Sequence, residues 1–261
     1  MPRIRPGTLR LPYQVGPLPA GRLHVIQLLT AVAGRYTVHG LVEADVTEPL
    51  ERLRSQPGDP TVTAYVVAAV AHTVREHPEV NCRRAGRKLV AFDEVDIVVT
   101  VERGHGVGSA PVPVALRRAD TKSVADIATE LHHRKASPAA RSHPPHRLLS
   151  RMPFAFVRAA AAVAGTIPAV AASWGPPVGV SSLGMFGVGW AIPISPLTVL
   201  VTVGGLTHRP AQVDGNLAER DYLPLTLSFD HSVIDGAPAA RFAATLVHTL
   251  VTGEPLTESR Q

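Results

Sequence analysis

The sequence predicts an α/β or α+β domain, on three observations. Segments with apolar residues at every second position are interspersed with segments at helical spacing. Hydrophobic residues make up 45% of the 261 residues, enough for a full core. No period of solenoid length recurs, which leaves an ordinary layered domain.

Residues 1–20 are rich in Pro, Gly and Arg and read as an arm or irregular lead-in. Residues 36–46 read as a strand broken at Gly40, followed by a polar turn around Pro57-Gly58-Asp59-Pro60. Thr61 or Thr63 is placed to cap a helix with Val62, Val66, Val70 and Val74 on its apolar side, ended by Pro78. Val95, Ile97, Val99 and Val101 alternate with Asp96, Val98 and Thr100, a strand closed by Gly104, Gly106 and Gly108. Asp120 or Thr121 opens a helix with Val124, Ile127, Ala128 and Leu131 on one face. Residues 136–150 are the most linker-like stretch, yet the strands on either side read as partners in one sheet, so no domain boundary is expected there. Residues 154–174 are long and apolar but carry Arg158 and Pro168 and are mostly alanine, which fits a buried or lid-like helix better than a membrane span. Apolar segments at 178–183 and 197–203 supply two further strands.

The stretch 223–250 organises the rest. Leu223, Leu225, Leu227 and Phe229 alternate with Thr226, Ser228 and Asp230, and the same parity predicts that His231 points to the buried face. Asp235 and Gly236 make a turn, and Pro238 stands where a first helical turn tolerates proline. Phe242, Leu246 and Leu250, with Ala239, Ala243 and Val247, mark the apolar side of the helix that follows.

Composition narrows the function classes. The single cysteine, Cys82, excludes an internal disulfide and a cysteine metal cluster, and it suits a reducing cytoplasm. The N-terminus lacks the apolar core of a signal peptide. The net charge of +5 is locally concentrated at Arg83-Arg84-Ala85-Gly86-Arg87-Lys88 and Arg117-Arg118, either a solvated basic surface or an attraction for a polyanion such as a nucleotide-bearing thioester or a carrier-protein phosphate. Aromatics are only 5% and do not interleave with these charges, which argues against nucleic acid. His132-His133 and the pair His143 and His146 lack a carboxylate set at ligand spacing, so no metal is expected. The glycines at 104, 106 and 108 lack dinucleotide spacing and a phosphate-loop lysine.

Acyl transfer asks for a base, a group that holds it, and a donor aimed at the developing oxyanion. His231 is the candidate base and Asp235 its candidate anchor. Ser181 or Ser182, in VGVSSLGMFG, is the candidate donor, with Gly184 and Gly187 permitting close backbone approach. No Gly-x-Ser-x-Gly elbow is present, so direct transfer without an acyl-serine is favoured.

FDHSVIDGAPAARF, SSLGMFG and the spacing between them resemble the catalytic domain of the 2-oxoacid dehydrogenase E2 acyltransferases. PLPAGRLHVIQLL, VEADVT, HPEVNCR, VERGHGVGSAPVPVALRRADTKSVADIATEL and LTVLVTVGG extend the resemblance from about residue 17 to 252. It implies a chloramphenicol acetyltransferase-like fold, a mixed sheet with helices packed on it as an α+β two-layer sandwich. It also implies an arm over 1–16, a catalytic domain over 17–252 and a polar tail over 253–261. The implied roles are His231 as general base, Ser181 as oxyanion donor and Asp235 as a chiefly structural aspartate held by an arginine. Active sites are implied between subunits of a homotrimer, with acyl-CoA entering one end of a channel and the acceptor the other.

The chain departs from the family pattern in three places. Ser232 stands where arginine usually follows the histidine. Only Arg22 remains of the first helix's two basic clusters. The sequence shows no lipoyl or subunit-binding domain, and TGEPLTESRQ is polar where E2 cores carry an apolar tail. The last of these departures favours a stand-alone cytoplasmic enzyme that moves an acetyl group from acetyl-CoA to the hydroxyl of a small molecule, as in tetronate steps of polyketide secondary metabolism, whereas Ser232 favours a non-catalytic scaffold. The rivals are an E2 core that uses dihydrolipoamide from another chain and a non-catalytic scaffold subunit. A carrier protein is a further candidate partner; no covalent lipoyl group, metal, membrane or nucleic acid is expected.

Overall fold

The computed structural model describes residues 35–101 apart from 57 and 59, then 112–136 and 165–257, with isolated positions at 22, 26, 29, 156, 159, 160, 162 and 163. The expectations for the N-terminal arm, the glycine run at 104–108 and most of the linker-like stretch lie outside these residues; within 154–174, Phe156, Ala159, Ala160, Ala162 and Val163 are helical and exposed and 165–167 form a turn, so these positions do not form the expected buried helix.

The longest strand is β9 (Asn216–Asp230), and the sheet is built around it. β1 (Thr37–Asp45) lies antiparallel on one side, from Thr37 opposite Asp230 to Asp45 opposite Tyr222. This ladder runs through Gly40 without interruption, so the expected break is absent: the flanking alternation is satisfied by pairing, and a Cβ at Gly40 would meet nothing within 4 Å. β8 (Thr207–Val213) folds back on the first half of β9 through Asp214 and Gly215, whose φ values of 49° and 83° suit a two-residue hairpin turn. On the other side β7 (Val199–Val203), β6 (Val178–Ser182), β4 (Ile97–Val101) and β5 (Val112–Leu116) complete the order β1-β9-β7-β6-β4-β5. β6 runs parallel to β4 and to β7; the remaining pairs are antiparallel. A mixed sheet was expected, and a mixed sheet is found.

Among the described residues the sheet is accompanied by helices α1 (Thr47–Arg54), α2 (Val62–Glu76), α3 (Val124–Ala136), α4 (Pro168–Ser173), α5 (Gly236–Thr252) and α6 (Glu254–Thr257). α2 packs against α3 and α5, and α5 against β1. Ile97, Val99, Val178, Val180, Val199, Val201, Leu225, Leu227 and Phe229 from the sheet share one continuous core with Tyr65, Val70, Phe242 and Leu246 from the helices. Phe242 meets Phe229 edge-on at 5.9 Å between centroids, and the buried Tyr65 hydroxyl donates to the Leu250 carbonyl at 2.6 Å.

The helix starts sharpen the sequence reading. Thr61, not Thr63, caps α2: its Oγ1 accepts from the Ala64 N–H at 3.2 Å. Thr61→Ala is expected to cost about 1 kcal/mol of stability, measured by denaturant unfolding. Ser123, rather than Asp120 or Thr121, begins α3. Its hydroxyl accepts from the Asp126 N–H while the Asp126 carboxylate accepts from the Ser123 N–H and hydroxyl, a reciprocal cap. Residues 119–121 form a 3-10 turn instead. The polar tail begins with α6, whose Leu256 packs against the core.

A separate ribbon, β2 (Cys82–Ala85) with β3 (Lys88–Ala91), turns at Gly86 with φ of 61°. Cys82 is buried, its thiol donates to the Glu79 carbonyl at 3.2 Å, and burial, with Asp230 and Glu79 adding to it, pushes its pKa up. We expect iodoacetamide to modify Cys82 at least tenfold more slowly in the folded protein than in urea, followed by mass spectrometry. No helix among the described residues is long and apolar enough to cross a membrane.

Candidate active site

Two structural elements carry the residues singled out by the sequence. The first is the turn between β9 and α5. β9 ends at Asp230, whose N–H donates to the Thr198 carbonyl at 2.9 Å and whose carbonyl accepts from the N–H groups of Val233 and Ile234. The Asp230 carboxylate accepts from the Ser232 N–H at 3.0 Å and the Ser232 hydroxyl at 2.6 Å, which closes the turn locally. Its second oxygen receives Arg35 Nη1 at 3.1 Å.

His231 therefore lies outside the strand and is exposed, not on the buried face that parity predicts. The physical reason is that residues 223–230 are buried on both faces of β9, so alternation there does not separate core from solvent. The backbone is nonetheless held: His231 N–H donates to the Tyr36 carbonyl at 2.6 Å. The ring is held too, because Nδ1 lies 2.9 Å from the Ile234 carbonyl. A carbonyl only accepts, so this bond places the proton of the neutral ring on Nδ1 and leaves the Nε2 lone pair outward.

Asp235 is the N-cap residue of α5, with extended backbone and no side-chain cap bond. Among the described residues it has no ion pair. The arginine expected on Asp235 is found on Asp230 instead, supplied by Arg35. Arg35 was not legible as a site residue, since 195 positions separate it from its partner.

The second element is the end of β6. Ser181 is half-buried and lies in register with Thr100 on β4 and Thr202 on β7, and Thr202 pairs with Thr226 on β9. Ser182, one residue on, borders a cavity of about 520 Å³ with Val62, Thr63, Met185, Val203 and the glycines 184, 204 and 205. Gly184 is needed for close approach, as expected: a Cβ there would sit 2.8 Å from the Gly204 carbonyl oxygen. Gly187 serves differently, through its φ of 70°.

The register also measures how far these elements are apart. Ser181 is level with Thr226, five residues before His231 along β9 and two strands across. Strand geometry makes that separation roughly 19 Å between Cα atoms, beyond the reach of the two side chains. One chain does not bring Ser181 and His231 together. Beyond Ser182 the chain exposes Met185 (77%), Ile192 (62%), Ile194 (74%), Phe186 and Trp190 in one apolar run.

The sequence matches the family model described as 2-oxoacid dehydrogenases acyltransferase (catalytic domain) over residues 32–151 and 174–257, most of the chain. It belongs to that acyltransferase family. Among curated relatives, the dihydrolipoyllysine-residue acetyltransferase component of pyruvate dehydrogenase complex from Mycoplasma capricolum is 27% identical over 215 residues, 78% of this chain and 42% of that protein. The lipoamide acyltransferase component of branched-chain alpha-keto acid dehydrogenase complex from Pseudomonas aeruginosa is 29% identical over 213 residues, 77% of this chain and 42% of that protein. The chain thus spans less than half the length of these E2 relatives. Azotobacter vinelandii dihydrolipoamide acetyltransferase superposes with a TM-score of 0.71 at 24% identity, covering 99% of this chain and 100% of that one. The work on that protein concerns a serine, a histidine and an asparagine in its catalytic mechanism. Chloramphenicol acetyltransferase superposes with a TM-score of 0.52 at 13% identity, covering 87% and 94%. The fold is the chloramphenicol acetyltransferase-like one that the E2 catalytic domain shares.

Proposed function

We propose that this E2-type catalytic domain moves an acyl group directly between CoA and an acceptor at a site shared by two subunits. The observation that carries the proposal is the outward Nε2 of His231, fixed by the Nδ1 bond to Ile234, in a family of acyltransferases. Nε2 takes the proton from the acceptor hydroxyl or thiol as that atom attacks the thioester carbonyl. The Ser181 hydroxyl of a neighbouring subunit donates to the tetrahedral oxyanion. Collapse of the intermediate breaks the carbon–sulfur bond, and the CoA thiolate recovers the proton from Nε2. Asp235 stands at the N-cap position of α5, where its backbone carbonyl accepts from the Ala239 N–H at 3.1 Å, and its part is structural.

The separation of Ser181 from His231 within one chain supports a homotrimer, in which a neighbour supplies the missing half. The exposed apolar run 185–194 beside Ser181 supplies surface for such a contact.

Acetyl-CoA is the donor in this reading and the hydroxyl of a small molecule the acceptor, in a stand-alone cytoplasmic enzyme of polyketide-type secondary metabolism. Ser232 favours it: folding back on Asp230, it leaves the position after the base without the charge that the family arginine brings. The second reading takes dihydrolipoamide from another chain, favoured by the names of the relatives. Acetyl-CoA is incubated with dihydrolipoamide or with simple alcohols, and free CoA and the acetylated acceptor are separated and quantified by chromatography, because transfer to a thiol leaves the total thioester unchanged. Turnover with alcohols alone supports the first reading, turnover with dihydrolipoamide alone the second, and none with either excludes acyl transfer.

A further inference from the structure

We propose that Arg35, Arg83 and Arg84 form a binding site beside His231 for an anionic group of a substrate, a carboxylate or phosphate. The proposal rests on the acyl-transfer reading and adds a substrate class to it.

Arg35 and the buried Arg83 both lie close enough to Asp230 to feel its charge, and Arg84 lies close enough to Arg35 to oppose it. Arg35 is bonded to Asp230, the residue immediately before His231. The ribbon that carries Arg83 and Arg84 is pinned to the same place through Thr198. The Thr198 carbonyl accepts from the Asp230 N–H, and its hydroxyl donates to the Cys82 carbonyl at 2.6 Å. Arg83 and Arg84 follow Cys82 directly, so the fold brings a basic run from the middle of the chain to the base. The remaining acidic neighbour of Cys82, Glu79, is engaged by His77 at 3.3 Å.

Arg83 is 3% exposed, and its Nη2 donates to the carbonyls of Gly175 and Pro176 at 3.2 and 3.0 Å. Among the described residues its Nε is buried with no acceptor. A buried, unpaired N–H on a charged group is costly, and such groups in native folds call for an explanation. The cations also work against one another: burial, with the nearby Arg35 adding to it and Asp230 opposing, pushes the Arg83 pKa down to about 10. Arg35 is likewise held low by burial and by Arg84, against the pull of Asp230. Three positive charges against one negative, partly out of water, are offset by an anion. Arg84 is exposed and gives that anion an approach.

Such an anion belongs either to the acceptor or to the phosphates of CoA, and paired probes separate the two. The full-length protein is assayed with dihydrolipoate against dihydrolipoamide and a hydroxy acid against its amide. The donor arm compares acetyl-CoA with acetyl-pantetheine. Wild type is expected to favour the charged member of at least one arm by about tenfold or more in kcat/KM, and Arg84→Gln to remove most of that preference. The neutral member should change by less than about twofold, with Arg84→Lys restoring part of the effect. Discrimination in the acceptor arm assigns the site to the acceptor; discrimination in the donor arm assigns it to CoA. No preference in either arm overturns the proposal, as does an equal fall for charged and neutral members in both arms. Dissociation of the oligomer by Arg84→Gln also overturns it, since Arg84 would then serve a subunit contact. If wild type turns over no acceptor, the acyl-transfer reading has failed. The anion site is then decided by calorimetric titration with lipoate and CoA: weaker binding to Arg84→Gln upholds it, and equal binding refutes it.

Discussion

His231→Ala lowers kcat by about 10²–10⁴-fold, the span that a positioned general base contributes. The same variant keeps the unfolding midpoint and oligomeric state of wild type. The wild-type His231 side chain is exposed and, among the described residues, makes one bond, from Nδ1 to the Ile234 carbonyl, while the turn is held by bonds of the Asp230 carboxylate and the backbone. Steady-state turnover of acetyl-CoA with the better acceptor, together with gel filtration and thermal melting, checks both halves. Full activity in a folded variant would end the role of His231 as base.

Ser181→Ala lowers kcat by about 10²–10³-fold if its hydroxyl is the oxyanion donor. A loss below about threefold would hand the role to Ser182, which borders the cavity, or to a backbone amide. The stronger test mixes the two inactive proteins. In a trimer whose sites each combine His231 of one subunit with Ser181 of the next, random exchange of equal amounts regenerates about a quarter of wild-type activity. A site built within one chain would stay dead on mixing. Partial denaturation and refolding of the mixture, followed by the acetyl-CoA assay, gives the answer.

Local chemistry was readable in the sequence wherever a single energetic term decides it. The Thr61 cap depends on one hydroxyl and one N–H three residues on. The apolar face of α5 is set by the helical repeat, and Phe242, Leu246 and Leu250 are fully buried as it predicts. Gly184 stands where another backbone passes too close for a Cβ. The start of α3 was misplaced because Asp120, Thr121 and Ser123 all have cap chemistry; only Ser123 finds Asp126 at the reciprocal spacing.

The burial of His231 failed for a different reason. Period-two alternation distinguishes inside from outside on a strand with one wet face, and the last eight residues of β9 have none. Arg35 escaped notice because ion pairing across 195 residues leaves no local trace.

By itself the sequence determined the layered fold class and the helix faces, because residue type and short-range period carry those, and its resemblance to the E2 acyltransferases singled out His231, Ser181 and Asp235 as candidates. Only the tertiary structure decided that His231 is exposed, that Arg35 serves Asp230 rather than Asp235, and that the strand carrying Arg83 is tied to Asp230 through Thr198. It also decided that β9 and β6 set Ser181 and His231 at opposite ends of one sheet. Register and long-range pairing determine such distances, and neither is written in any short stretch of chain.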